Sequence, residues 1–169
     1  RLSEKSNTIQ YVGDGLAKLI ATGDCKISAA ACKDGYRLDR CAVVFKFAGT
    51  TALDVYYTAG STSRSFALYI FSSANDLEDI TTSDYGTKSV VTSVTGVKAA
   101  FANTSATSSN PSISTGVVAI SGSGGGIIAT YSSLSAGYYV LLAVSGEGYL
   151  YGFDVSDGGS GGEPVSPTL

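Results

Sequence analysis

With no histidine among its 169 residues, the chain cannot assemble a Ser-His-Asp or Cys-His nucleophile system, and it lacks the commonest nitrogen ligand for zinc. Acid–base work would fall to its fourteen Asp and Glu residues. A glycoside hydrolase needs two of them flanking one bond. Here they mostly occupy turn segments or outward strand positions, where solvation explains them, and no pair is marked out as a shifted acid and base. We therefore expect no enzymatic activity and no cofactor. Asn75-Asp-Leu-Glu-Asp79 gathers oxygen ligands but lacks the regular spacing of a calcium loop, so it reads as a solvated acidic loop with a structural calcium ion left open. Cys25, Cys32 and Cys41 form no C-x-x-C pair. One local disulfide with a free thiol and three buried thiols both fit them.

The chemistry that remains is recognition by residues standing on a scaffold. Tryptophan, the usual platform for a sugar ring, is absent, so stacking would fall to tyrosines such as Tyr36, Tyr56, Tyr69, Tyr85 or Tyr138. A charged glycan asks for something else: a uronic-acid carboxylate calls for Lys or Arg. The formal charge is −3, which excludes a general nucleic-acid binder, since phosphate neutralisation needs a concentrated positive surface. Basic residues are nevertheless crowded locally, at Lys26, Lys33, Arg37, Arg40 and Lys46. The glycine runs at 122–126 and 158–162 do not sit at a strand-to-helix junction and match no phosphate-binding pattern.

The elements that must carry these residues are strands. In Cys41-Ala-Val-Val-Phe-Lys-Phe47, alternation puts Cys41, Val43, Phe45 and Phe47 on one face and Ala42, Val44 and Lys46 on the other. Leu53, Val55 and Tyr57 point inward if Asp54 and Tyr56 point outward, and Phe66, Leu68 and Ile70 share a side. Further strands are predicted at 89–95, 97–102, 117–121, 127–131, 138–144 and 149–155, with loops at 72–86 and 103–115. Only 15–21 and 27–32 have any helical character. Short strands separated by Gly, Ser and Asn turns predict an all-β chain, an antiparallel β-sandwich that is jelly-roll-like.

The longest apolar runs, 42–45 and 138–144, are far below the roughly 20 residues of a membrane-spanning helix. From Asp157 the sequence turns to Gly, Ser and Pro, the composition of a flexible tether. We read 1–156 as one module and 157–169 as a linker to a neighbour, within a fragment of a longer, secreted protein that is a monomer and touches neither membrane nor nucleic acid.

"ALDVYYTAGSTSRSFALYIF" and "LSAGYYVLLAVSGEGYLYGFDVS" together resemble the sandwich modules appended to bacterial pectate lyases. The shared pattern is a strand, a Gly/Ser-rich turn with a basic residue and a second strand, then a closing hairpin that ends in an aromatic-rich strand. It spans about residues 40 to 156. The chain is similar above all to the pectin-binding carbohydrate-binding modules. That resemblance implies non-catalytic targeting of a plant cell wall-degrading enzyme to low-ester homogalacturonan through surface lysines. Carried onto this chain, the lysines are Lys18 in "GLAKLI", Lys33 in "ACKDGY" and Lys88 in "YGTKSV", with Arg37 and Tyr36 as further carbohydrate contacts. Two other readings stand beside it: a structural or adhesive spacer without a glycan ligand, and a neutral-glucan binder using tyrosine faces.

Overall fold

A strand that is apolar on one side needs a second sheet to cover that side, and a strand that is apolar on both sides needs two covers. Both situations occur here. The structure, a computed structural model, describes residues 10–12, 17–26, 36–58, 64–102, 111–120, 125–145 and 148–157. In chain order the strands are β1 (Gln10–Val12), β2 (Ala17–Lys26), β3 (Tyr36–Phe47), β4 (Thr51–Thr58), β5 (Arg64–Phe71) and β6 (Lys88–Val90). They continue as β7 (Val94–Ala102), β8 (Pro111–Ser114), β9 (Val117–Ile120), β10 (Gly125–Leu134), β11 (Gly137–Ser145) and β12 (Gly148–Asp157). A single turn of 3₁₀ helix, Leu77–Asp79, interrupts the segment between β5 and β6.

Every pairing among the described residues is antiparallel. The first sheet runs β1-β2-β3-β11-β5, with β6 and the β9-β8 hairpin sharing the far side of β5. The second runs β7-β10-β4-β12. Strand β3 belongs to both, because Tyr36–Leu38 pair with β12 while residues 42–47 pair with β11. The chain is thus an antiparallel β-sandwich whose two layers are joined along one long strand.

The inner faces meet as the alternation requires. Val43, Phe45 and Phe47 of β3, Leu53, Val55 and Tyr57 of β4, and Phe66 and Leu68 of β5 are buried in one core, with Ile70 packed against it. Aromatic rings lock the layers together: Phe45 meets Phe153 edge-on at 5.0 Å, and Tyr57 meets Phe66 at 4.4 Å. Such pairs add about 0.5–1.5 kcal/mol beyond the area they bury. The β8–β9 hairpin turns on Thr115 (φ 49°) and Gly116 (φ 83°), the two positive φ values of a tight hairpin turn. Glycine is required at 116, where a Cβ would lie 2.5 Å from the Val91 carbonyl oxygen.

Three expectations need correction. The helical character of 15–21 is overridden, since Ala17–Lys26 is strand. Ala, Lys and Leu are good helix formers, yet alternation sends Ala17 and Leu19 to the inner core and Ile20 to an outer cluster, and packing on both faces decides the outcome. The loop expected over 103–115 contains β8, which pairs with β9. The strands expected at 89–95 and 97–102 divide instead as β6 and β7. The segment 27–32 lies outside the described residues, as does 158–169, and β12 ends at Asp157 opposite Thr51.

Candidate functional site

The outer face of the first sheet is assembled from rows of paired residues, and residues paired across antiparallel strands stand on the same side. One row reads Lys46–Tyr138–Phe71–Lys88 across β3, β11, β5 and β6. The next reads Lys18–Val44–Val140–Tyr69–Val90. Three strand spacings separate the backbones of Lys46 and Lys88, about 14 Å. Between them the rings of Phe71 and Tyr138 stack with centroids 5.5 Å apart. The Lys46 Nζ lies 5.4 Å from the centre of the Tyr138 ring, and the Lys88 Nζ lies 5.4 Å from that of Tyr69. An ammonium over an aromatic face is attracted by the ring quadrupole while it keeps its water-facing side.

The segment 72–87 folds over the middle of this face. Leu77, Ile80 and Tyr85 descend onto Ile20, Ala42, Val44, Phe71, Tyr138 and Val140 to form a second, smaller core. Lys18 fastens it. Its Nζ donates to the carbonyl oxygens of Leu77 (3.2 Å), Glu78 (2.5 Å) and Ile80 (2.9 Å), using all three protons of an ammonium group. Burial lowers the Lys18 pKa, and the charges of Asp79, Asp84 and Glu78 act in the opposite direction. The Tyr138 hydroxyl donates to the Asn75 carbonyl, a second tie from sheet to cover. Asp84 ties the segment to itself, accepting from the Thr81 backbone N–H (2.6 Å), the Ser73 hydroxyl (2.8 Å), the Asn75 amide (2.8 Å) and the Thr81 hydroxyl (3.0 Å). These bonds, the Thr81 N–H first, hold its carboxyl below the usual aspartate value.

Beside the cover an open groove of about 540 Å³ is lined by Phe71, Tyr138, Gly137 and the hydroxyl-bearing Ser72, Ser73, Thr87 and Ser89, among others. At its Lys46 end the row carries an ion pair, Lys46 Nζ to Asp76 Oδ1 at 3.2 Å. The Asp76 carboxylate, followed by the Tyr138 hydroxyl, raises the Lys46 pKa.

The expected lysines fare differently. Lys18 is not a surface contact: it is fully buried and its ammonium is consumed by three carbonyls, because it points outward from the sheet at a place the cover occupies. Lys88 stands on the same face, half-buried at its edge. Lys33 lies outside the described residues, and Tyr36 and Arg37 open β3 opposite Leu150 and Tyr149, their side chains also outside them. The sequence marks Lys46 only as one of a basic cluster and Asp76 only within the acidic 75–79 stretch, and it does not mark Phe71 as part of a site. The signal for Lys46 was present in the alternation of β3, which puts it outward. Asp76 sits in a polar loop whose path over the sheet no local pattern announces. Of the tyrosines, Tyr85 and Tyr138 are nearly closed to solvent, at 6% and 8% exposed.

Among the described residues nothing comparable covers the second sheet's outer face, which carries carboxylates. Asp154 and Asp54 are directly paired across β12 and β4, and Thr130 of β10 pairs with Asp54 on its other side. The Tyr56 hydroxyl donates to Asp154 Oδ2 at 2.7 Å, and the Thr130 hydroxyl to Asp54 Oδ1 at 2.7 Å. The bond to Asp154, with burial and the two carboxylate charges, pushes the Tyr56 pKa up to about 12. Among the described residues no three His, Cys, Asp or Glu side chains converge as metal ligands, and in the 75–79 stretch Asp76 faces Lys46. Comparison with known proteins gives no match: no family model fits the chain, and no curated protein or solved structure is significantly similar to it.

Proposed function

We propose that the domain is a non-catalytic carbohydrate-binding module that holds a secreted plant cell wall-degrading enzyme against low-ester homogalacturonan, with Lys46 and Lys88 meeting uronate carboxylates. One observation carries this reading. The two lysines end the same cross-strand row, each with its ammonium over an aromatic ring. A polyanion lying across the strands meets both charges, and the hydroxyls of Ser72, Ser73, Thr87 and Ser89 offer donors and acceptors to its ring hydroxyls. An ammonium suits this role because it meets a carboxylate without a fixed fork geometry. The near-closure of the Tyr85 and Tyr138 rings favours charge contact over stacking on a neutral glucan. The domain works as a monomer tethered to its catalytic neighbour, and pectic chains are its partner.

Each exposed ion pair contributes about 0–1 kcal/mol, so binding is modest and falls with salt. The test is retardation of the wild-type protein in gels containing polygalacturonate, with and without salt, and in gels containing fully methyl-esterified pectin. Retardation by the first that salt abolishes, and none by the second, is the expected result; equal retardation by both polymers overturns the reading. A spacer without a glycan ligand is the second reading. It is favoured by the fact that Lys46 is already paired with Asp76, and it predicts free migration in every gel.

A further inference from the structure

Asp76 occupies the position just before the 3₁₀ turn, where an aspartate ordinarily turns its carboxylate onto backbone N–H groups of that turn. It makes no such bond. Its side chain reaches instead to Lys46, at 3.2 Å. Both partners face solvent, Asp76 being 75% and Lys46 45% exposed. The contact is thus a carboxylate seated on the outermost ammonium of the row, held by one hydrogen bond and open to exchange.

Resting on the uronate-binding reading above, we infer that Asp76 is a built-in competitor, an internal carboxylate that occupies Lys46 until a uronate of the polysaccharide displaces it. Asp76 thereby sets the affinity of the face without touching the ligand. The exchange trades one exposed ion pair for another, so the lysine gains little from a single uronate. Net binding then depends on a chain that engages Lys46 and Lys88 together, whose two contacts share one loss of translational freedom. The competitor lowers binding at Lys46 by the same factor for any uronate, so a free monosaccharide, with nothing else gained, is left weak, whereas a polymer keeps its second anchor at Lys88.

The test compares wild type, Asp76→Asn, Lys46→Ala and the double variant Asp76→Asn/Lys46→Ala for binding to polygalacturonate and to galacturonate monomer at low salt. Asparagine suits a position before a helical turn, so the cover stays folded. Asp76→Asn is expected to tighten polymer binding about two- to fivefold, the range of one exposed ion pair. In the Lys46→Ala background the same change is expected to have no effect, which separates loss of the competitor from the general loss of a negative charge. Wild-type binding that Asp76→Asn leaves unchanged, or tightens equally without Lys46, overturns the inference and leaves the uronate reading standing. Failure of all four proteins to bind either ligand overturns both.

Discussion

The two outer faces of the sandwich start from the same kind of strand and end in different states. Strands β4 and β10 alternate on the second sheet: Leu53, Val55, Tyr57, Ile127 and Ala129 face the core, while Asp54, Tyr56 and Thr130 face out, the Thr130 hydroxyl donating to Asp54 and the Tyr56 hydroxyl to Asp154 of β12. On the first sheet β3 and β11 are apolar on both sides. Val44 and Val140 would lie bare if the 72–87 segment did not bring Leu77, Ile80 and Tyr85 down on them. The cover needs a polar fastening because its own backbone carbonyls are carried into an apolar setting, and Lys18 supplies it from the sheet. The difference is one of exposure: covering the middle of one face leaves Lys46 and Lys88 at the margins of the cover, with an open groove beside it, whereas the other face carries paired, half-buried carboxylates.

The largest effect is expected from Lys18→Met, which keeps the apolar stem but strands the Leu77 and Ile80 carbonyl oxygens beneath the cover and frees the half-buried Glu78 carbonyl. We expect a loss of about 2–4 kcal/mol in urea unfolding, together with faster hydrogen exchange over 72–87 than over β4 and β10. A loss under about 0.5 kcal/mol would mean that the cover is held by its apolar contacts alone, and the contrast between the faces would lose its cause. Next comes Asp84→Asn, expected to cost on the order of 1 kcal/mol at neutral pH after solvent screening. The folded-state pKa of Asp84 is depressed, so its contribution is present above the ordinary value near 3.8 and is lost as pH falls through the lower folded value. Wild type and variant should therefore converge in acid; a difference that persists there would contradict this assignment. The smallest change is expected on the open face, where Asp54→Asn removes one of two like charges placed directly opposite and keeps an acceptor for Thr130. A gain of a few tenths of a kcal/mol, about 0.2–0.5, is expected by thermal unfolding, and a clear loss would show that the carboxylate pair stabilises that face.

Much of this contrast is legible in the sequence. The sandwich follows from period-two alternation: Val43, Phe45 and Phe47 share the inner face of β3 and Leu53, Val55 and Tyr57 point inward as alternation requires, the shared side of Phe66 and Leu68 proves to be the same core, and the Cys41 side chain lies outside the described residues. The continuous apolar runs at 42–45 and 138–144 already carried the sign of strands buried on both faces. Their cover could not be located from them, because it is a polar, mostly irregular segment whose three apolar anchors, Leu77, Ile80 and Tyr85, follow no period. Lys18 was misread for the same reason. The resemblance places it among surface lysines, but its burial is decided by residues 59 to 62 positions away along the chain. Alternation puts Lys46 on the outer side of β3; the register of β3 with β11 brings Tyr138 beside it, and the path of the 72–87 segment brings Asp76.

The central claim is that recognition belongs to the margins of the covered face and not to the net charge of the molecule. Its most direct test is polygalacturonate retardation, at low salt, of the variant Lys46→Ala/Lys88→Ala/Asp54→Asn/Asp154→Asn, whose net charge equals that of the wild type. The account predicts that this protein migrates freely while the wild type is held back. Retardation equal to the wild type's would contradict it.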